Sequence, residues 1–512
     1  MRTRRSLTVS LASIASVAAT LGVAHGAAAA ESARLTTYSA NGQTSYALSV
    51  AAEPAPEIAA VDVVVLFDTS ASQQGPYRDS ALTALQAMIQ GMRPSDRVQI
   101  LAVDLDAAPL MAGFAPAGSP EVAQAIAALR QRAPLGSTNL VLGLQAAVDR
   151  LEEAKSPRRA ITYIGDGVSM ANMLDAATLR PLVDRLRATR TPVSSYAIGP
   201  EVDGQILAVL ANQTGGNLYA AEALTWADDA AGVTVERADS ENARAAAAVG
   251  KHLSAWTRVA VEWPVAAQLP DALGQTYPSP VPPLRADRDT VIVGRTSAPL
   301  SGAVNLQITV AGGEGQSREL SWQVAPEAAS QDNAFLGELV DAAARDGGLT
   351  LPTVGTAGLA EAARLAGARA DQLAMLAERA VASGDRASAA RIANAVLRTD
   401  PGNVQARTVQ AVIEAPAPAG APGLVEPLAP GAAPLVAPPA PASGDIILQG
   451  PPPGAGPMGG PRTGAFLDEV EQERRAFQQM LEADISNTII AARARMGAEP
   501  VAVVQELKLA LE

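Results

Sequence analysis

Asp68-Thr69-Ser70-Ala71-Ser72 closes an apolar run, "VVVLF", and so places one carboxylate and three hydroxyls within five positions. Two further pieces carry the same chemistry. In "LGSTNLVLGLQAAVDRL", Thr138 precedes an amphipathic pattern; in "AITYIGDG", Asp166 directly follows another apolar run. Asp68, Ser70, Ser72, Thr138 and Asp166 are the candidate site, two carboxylates and three hydroxyls. An all-oxygen set suits a hard cation: Mg2+ first, with Mn2+ or Ca2+ as alternatives. The same residue types also favour turns and helix caps, so a polar turn at a strand end is the competing reading.

The elements around these residues decide between the two. From residue 60 to about 255, apolar runs alternate with helical patterns. Val63–Phe67, Val98–Val103, Ala160–Ile164 and Val193–Ile198 are continuous apolar stretches, as strands covered on both faces require. Leu82, Leu85, Met88, Ile89 and Met92 share a helix face, as do Leu140, Leu144, Val148 and Leu151. "SPEVAQAIAALRQR" opens with a Ser cap and a Pro in the first turn. Alternating β and α implies an α/β fold with a doubly wound, mostly parallel sheet. Ligands of such sheets bind outside the carboxyl ends of the strands. Asp68 and Asp166 both stand at such ends, and Thr138 lies on a loop that reaches the same edge.

Residues 60–255 resemble a von Willebrand factor A domain, and Asp68, Ser70, Ser72, Thr138 and Asp166 match its metal-ion-dependent adhesion site. The resemblance implies that Ser70 and Ser72 ligate the metal directly. It makes Thr138 a ligand of an open, high-affinity state. Asp68 would act through water, and Asp166 would act through water when open and move closer when closed. A partner protein then supplies a Glu or Asp carboxylate. "YPSPVPPLRADRDTVIVGRTSAPLSGAVNLQITVAGG" resembles the β-rich segment that follows the A domain in inter-α-trypsin-inhibitor heavy-chain-like proteins. Those proteins carry a full vault domain ahead of the A domain, whereas about thirty residues stand there in this chain once a leader is set aside.

The rest of the chain divides by composition. Residues 1–30 read as a signal peptide: "MRTRR" is basic, an apolar stretch follows, and small residues surround Ala30. Residues 31–58 hold a β-hairpin about Asn41-Gly42 and a Pro-containing link. The A-type unit takes 59–255, and a small antiparallel β-domain takes 256–328. The hairpin is expected to pair with that β-domain. Residues 329–413 are helical, with one tetratricopeptide-like stretch at 377–406. Residues 414–464 form a Pro/Ala/Gly-rich disordered linker, whose G-x-G-x-x-G spacing at Gly454, Gly456 and Gly459 lacks a flanking strand and helix and carries no meaning. Residues 465–512 are charged helices.

Composition excludes whole classes of function. The 512-residue chain has no cysteine and two histidines, of which only His252 lies beyond the leader. Thiolate zinc sites and any site needing two histidines are ruled out. His252 sits in an Ala-rich helical stretch and reads as solvent-facing. The net charge is −13; without Arg2, Arg4 and Arg5 it is 36 cations against 52 anions, or −16. Such a chain disfavours nucleic acid and anionic lipid as partners. No stretch after the leader is apolar for long enough to span a bilayer.

The expectation is an exported bacterial protein, placed in the periplasm, at the cell surface or secreted. It acts as a cation-dependent adhesion or scaffolding module and not as an enzyme. Two alternatives stand beside it. The metal could be purely structural, with the helical tail carrying the interactions, or the chain could be a metal-dependent hydrolase. No H-E-x-x-H, G-x-S-x-G or P-loop motif supports the last.

Overall fold

The computed structural model describes residues 33–414, apart from 55–59, 155, 157, 170–174, 222–223, 226–233, 298, 313–315 and 383–384. The signal-peptide and C-terminal helix expectations at 1–30 and 465–512 lie outside the described residues, as does the linker expected at 414–464 except for Glu414, which ends a helix.

The chain opens with strands β1 (Ala33–Ala40) and β2 (Gln43–Val50). The α/β unit then runs β3 (Val61–Asp68), α1 (Pro76–Gly91), β4 (Arg97–Val103), β5 (Ala107–Pro109), β6 (Ala115–Pro116), α2 (Pro120–Gln131) and α3 (Leu140–Glu152). It continues with β7 (Arg158–Gly165), α4 (Ala176–Ala188), β8 (Val193–Ala197), α5 (Gly204–Thr214), β9 (Leu218–Ala220) and α6 (Val235–Trp256). Its sheet has the order β5-β4-β3-β7-β8-β9, with β6 also on β4. β3 pairs in parallel with β4 and β7, β7 with β8, and β8 with β9. Only β5 and β6 run antiparallel. This is the expected doubly wound, mostly parallel sheet.

Every residue of β3 is buried, because side chains alternate between two covered faces. Val63, Val65 and Phe67 pack with α1, α2 and α6, while Val64 and Leu66 pack with α3, α4 and α5. α6 approaches α1 so closely that a Cβ at Gly250 would stand 2.2 Å from the Ala84 carbonyl oxygen, which only glycine accommodates. At α2, Ser119 is the N-cap residue as expected, but its side chain makes no cap hydrogen bond. His252 is exposed, stacked at 6.1 Å on Tyr219.

The hairpin does not stand alone. β2 pairs antiparallel with β14 (Thr290–Thr296), and the sheet order is β1-β2-β14-β12, with β12 at Gln275–Tyr277. A second sheet, β11 (Pro264–Gln268), β15 (Val304–Ala311) and β16 (Ser317–Val324), faces it. Leu35, Leu48 and Ile292 of the first meet Leu306, Ile308 and Trp322 of the second in one core. Two-residue strands β10 (Val261–Glu262) and β13 (Leu284–Arg285) pair beside them. The first sheet's other face, at Ala47, Val291 and Val293, is covered by Phe335 and by α7 (Leu336–Asp346). Beyond it, α8 (Gly355–Ala382), α9 (Arg386–Thr399) and α10 (Val404–Glu414) pack through alanines, among them Ala374, Ala377, Ala389 and Ala393. Among the described residues, no helix is long and apolar enough to cross a membrane.

Candidate metal-binding site at the carboxyl edge

β3 and β7 are parallel neighbours, so their last residues arrive at one edge of the sheet together. Asp68 ends β3, and Asp166 directly follows β7. Thr138 comes to the same edge just ahead of α3, whose N-cap is Asn139. The loop carrying Ser70 and Ser72 is tied to the Thr138 loop by two backbone bonds, Leu135 N–H to Thr69 O at 3.0 Å and Ala71 N–H to Gly136 O at 2.9 Å.

The five candidates form one hydrogen-bonded network. Thr138 Oγ1 donates to Asp68, at 3.0 Å from Oδ1 and 2.9 Å from Oδ2. The Ser70 N–H donates to Asp68 Oδ1 at 2.9 Å. Ser70 Oγ and Ser72 Oγ lie 2.9 Å apart, and Ser72 Oγ donates to Asp166 Oδ2 at 2.5 Å. Asp68, Ser70, Thr138 and Asp166 are buried and Ser72 is half-buried. A hydroxyl that donates its proton to a carboxylate keeps its lone pairs free to bind a cation.

The electrostatics are unfavourable for the protein alone. Burial, and then the nearby Asp166 charge, push the Asp68 carboxyl up from 3.8 to about 6. Burial also raises Asp166, against hydrogen bonds from Ser72, Val168 and Gln73. Among the described residues, every donor to these two carboxylates is neutral: Ser70, Thr138 and Tyr163 on Asp68, and Ser72, Gln73 and Val168 on Asp166. No described arginine or lysine forms an ion pair with either. The set fits a hard cation by its chemistry, all oxygen with two anionic members. Among the described residues no three His, Cys, Asp or Glu side chains come together, so Asp68 and Asp166 would need the hydroxyls of Ser70, Ser72 and Thr138 to complete a ligand set.

Three supporting side chains escaped the sequence reading. Tyr163 OH donates to Asp68 Oδ2 at 2.8 Å and accepts from the Gly167 N–H at 3.1 Å. A phenol inside an apolar strand must find such a partner, and that was the available signal. A Cβ at Gly165 would stand 2.4 Å from Asp68 Cβ and 2.5 Å from Tyr163 OH, so glycine makes room for both. Gln73 Nε2 donates to the Ile198 carbonyl at 2.9 Å and reaches Asp166 Oδ2 at 3.4 Å, leaving its buried Oε1 without a partner among the described residues. Asp104 accepts from Thr69 Oγ1 at 3.0 Å and from Arg132 at 2.7 Å, bracing the loop from outside.

Residues 61–220 match the family model of the von Willebrand factor type A domain. No curated protein matches the sequence. Among solved structures, a von Willebrand factor type A protein from Catenulispora acidiphila is 13% identical with a TM-score of 0.40, covering 72% of this chain and 84% of that one. The ArnB paralog VWA2 from Sulfolobus acidocaldarius is 13% identical with a TM-score of 0.35, covering 74% and 93%. The human COPII-coat protein Sec24c is 15% identical with a TM-score of 0.38, covering 70% and 54%.

Proposed function

We propose that the chain is an exported protein whose A-type domain binds a protein partner through a divalent cation. Domains of this type generally mediate protein–protein interaction. In this reading Asp68, Ser70, Ser72, Thr138 and Asp166 hold Mg2+, or Mn2+ or Ca2+ in its place. The cation keeps a position for a Glu or Asp carboxylate of the partner. The role is binding and not catalysis. Export rests on the basic-then-apolar character of residues 1–30.

One observation carries the proposal. Two carboxylates are buried within one hydrogen-bond network, and every described donor to them is neutral. Buried like charges without a counter-charge are costly, and a bound cation removes that cost. The cation also reverses the local sign of the potential, so a strongly acidic protein can attract an acidic partner residue at this one point.

The test is calorimetric titration of the full chain with Mg2+ and with Mn2+, beside the Asp166→Ala variant. Saturable one-site binding, lost in the variant, is the expected result. Binding that the variant retains would place the metal elsewhere. Metal that raises the melting temperature while no partner is captured in a cation-dependent manner would reduce the site to a structural one.

A further inference from the structure

Ten large apolar side chains are strongly exposed among the described residues, and three of them stand on loops bonded to this site. Leu105 is 60% exposed, in the turn after β4. The carbonyl of its neighbour Asp104 accepts from the Asn139 N–H at 2.7 Å, one residue past Thr138. Its side chain lies over Gly136, where a Cβ would meet Leu105 Cγ at 3.5 Å. Leu135, 69% exposed, is held by its own N–H to the Thr69 carbonyl. Val202, 38% exposed, precedes Asp203, whose N–H bonds the Asp166 carbonyl at 2.8 Å. In the strand order, Leu105 follows β4 and Val202 follows β8, so the apolar groups flank the site from both sides.

Single exposed apolar side chains are ordinary, but three on the rim of one polar site form a surface with a polar centre. A partner that offered only a carboxylate would leave the leucines in water. Next to Leu105 and Val202 in the chain stand exposed Asp106 and Glu201, which repel a second acidic group. The chain's net charge of −13 likewise opposes an anionic membrane.

We infer that this rim selects the partner sequence: one Asp or Glu on a protein segment, with an aliphatic or aromatic side chain within two or three residues of it and no second acidic residue nearby. The inference rests on the cation-dependent reading above. The carboxylate supplies attraction at the centre, and burial of Leu105 and Leu135 supplies discrimination.

A random peptide-display library selected on the immobilised full chain in Mg2+, and eluted with EDTA, tests it. The expected eluate is enriched in a single acidic residue with an apolar neighbour. A Leu105→Ser/Leu135→Ser variant keeps the acidic preference, loses the apolar one, and binds the best peptide about tenfold more weakly per leucine. Mg2+ titration of that variant remains unchanged, which shows that the site itself is intact. Val202→Ser on the opposite side gives the independent check. Acidic enrichment without apolar preference, or undiminished affinity in the variants, overturns the rim and leaves the adhesion site standing. No EDTA-sensitive enrichment overturns the adhesion reading and the rim with it. Co-sedimentation with phosphatidylserine vesicles that depends on the two leucines assigns the surface to membranes and also overturns the proposal.

Discussion

Replacing Asp68 by Asn should stabilise the metal-free protein while destroying its response to metal. Raising this carboxyl from 3.8 to about 6 corresponds to about 3 kcal/mol of destabilisation at pH 7 when the group is ionised, at 1.36 kcal/mol per pH unit. Asn keeps one side-chain oxygen for the Ser70 N–H and Thr138 but replaces the acceptor that Tyr163 uses with a donor. That mismatch costs about 1 kcal/mol, a typical hydrogen bond. The net gain is about 2 kcal/mol, or roughly 4–8 °C in melting temperature for a unit of this size.

A carboxyl whose folded value is raised holds its proton more tightly in the folded state. It therefore favours folding below 3.8, and that contribution is lost as pH rises to about 6. Wild type in EDTA should lose stability across that window, and Asp68→Asn should not show the Asp68 part of the loss. Thermal melts by circular dichroism at pH 4.5 and 7.5, with EDTA and with Mg2+, separate these effects. Mg2+ at a hundred times its Kd adds about 2.7 kcal/mol to wild type and nothing to the variant. A variant that melts below wild type at pH 7.5 in EDTA would refute the reasoning, since the buried charge would then cost nothing.

Asp62 is buried and accepts from Arg97 Nε at 2.8 Å, from Ser156 Oγ at 2.7 Å and from the Ser156 N–H at 3.1 Å. Burial alone would raise its carboxyl, but these bonds outweigh it and hold the group below 3.8. Its contribution is present above 3.8 and lost as pH falls further, and Asp62→Ala should cost about 3 kcal/mol in urea unfolding at pH 7. Gly165→Ala forces a Cβ into Asp68 and Tyr163; Mg2+ affinity measured calorimetrically should fall at least tenfold, and unchanged affinity would show that Asp68 is free to shift.

The parallel sheet was readable because strands covered on both faces must be continuously apolar, as "VVVLF" is. The gathering of Asp68, Thr138 and Asp166 was readable for a related reason, since parallel strands bring their carboxyl ends to one edge. Gln73 and Asp104 were not legible, because their partners, Ile198 and Asp166 for one and Thr69 and Arg132 for the other, are contacts that no spacing announces; Tyr163 left only the signal of a phenol in an apolar strand. The rim was illegible too. A lone Leu in a loop is unremarkable until the fold sets Leu105 over Gly136 beside Leu135. The pairing of β2 with β14 could be expected from composition, but its register joins segments some 240 residues apart and had to be seen.

Among the described residues, the appended elements leave the carboxyl edge uncovered. They attach to the opposite edge, by buried polar groups gripping backbone. Arg285, 1% exposed, donates to the Gly215 carbonyl past the end of α5 and to the Trp256 carbonyl at the end of α6. Arg288 donates to Gly216 and Ala211, and Arg158, opening β7, donates to the Val259 carbonyl. Asn212 and Gln213 in the last turn of α5 donate to the carbonyls of Leu351, Gly348 and Leu349. These helix ends and the start of β7 all lie at the amino end of the parallel strands. The eight residues of β7 separate that end from Asp166 by roughly 25 Å at about 3.3 Å per residue. Fastening at one edge spends the buried polar contacts where they fix the domain. The site loops at the other edge keep Leu105 and Leu135 exposed, and among the described residues this mount holds the domain without covering the site.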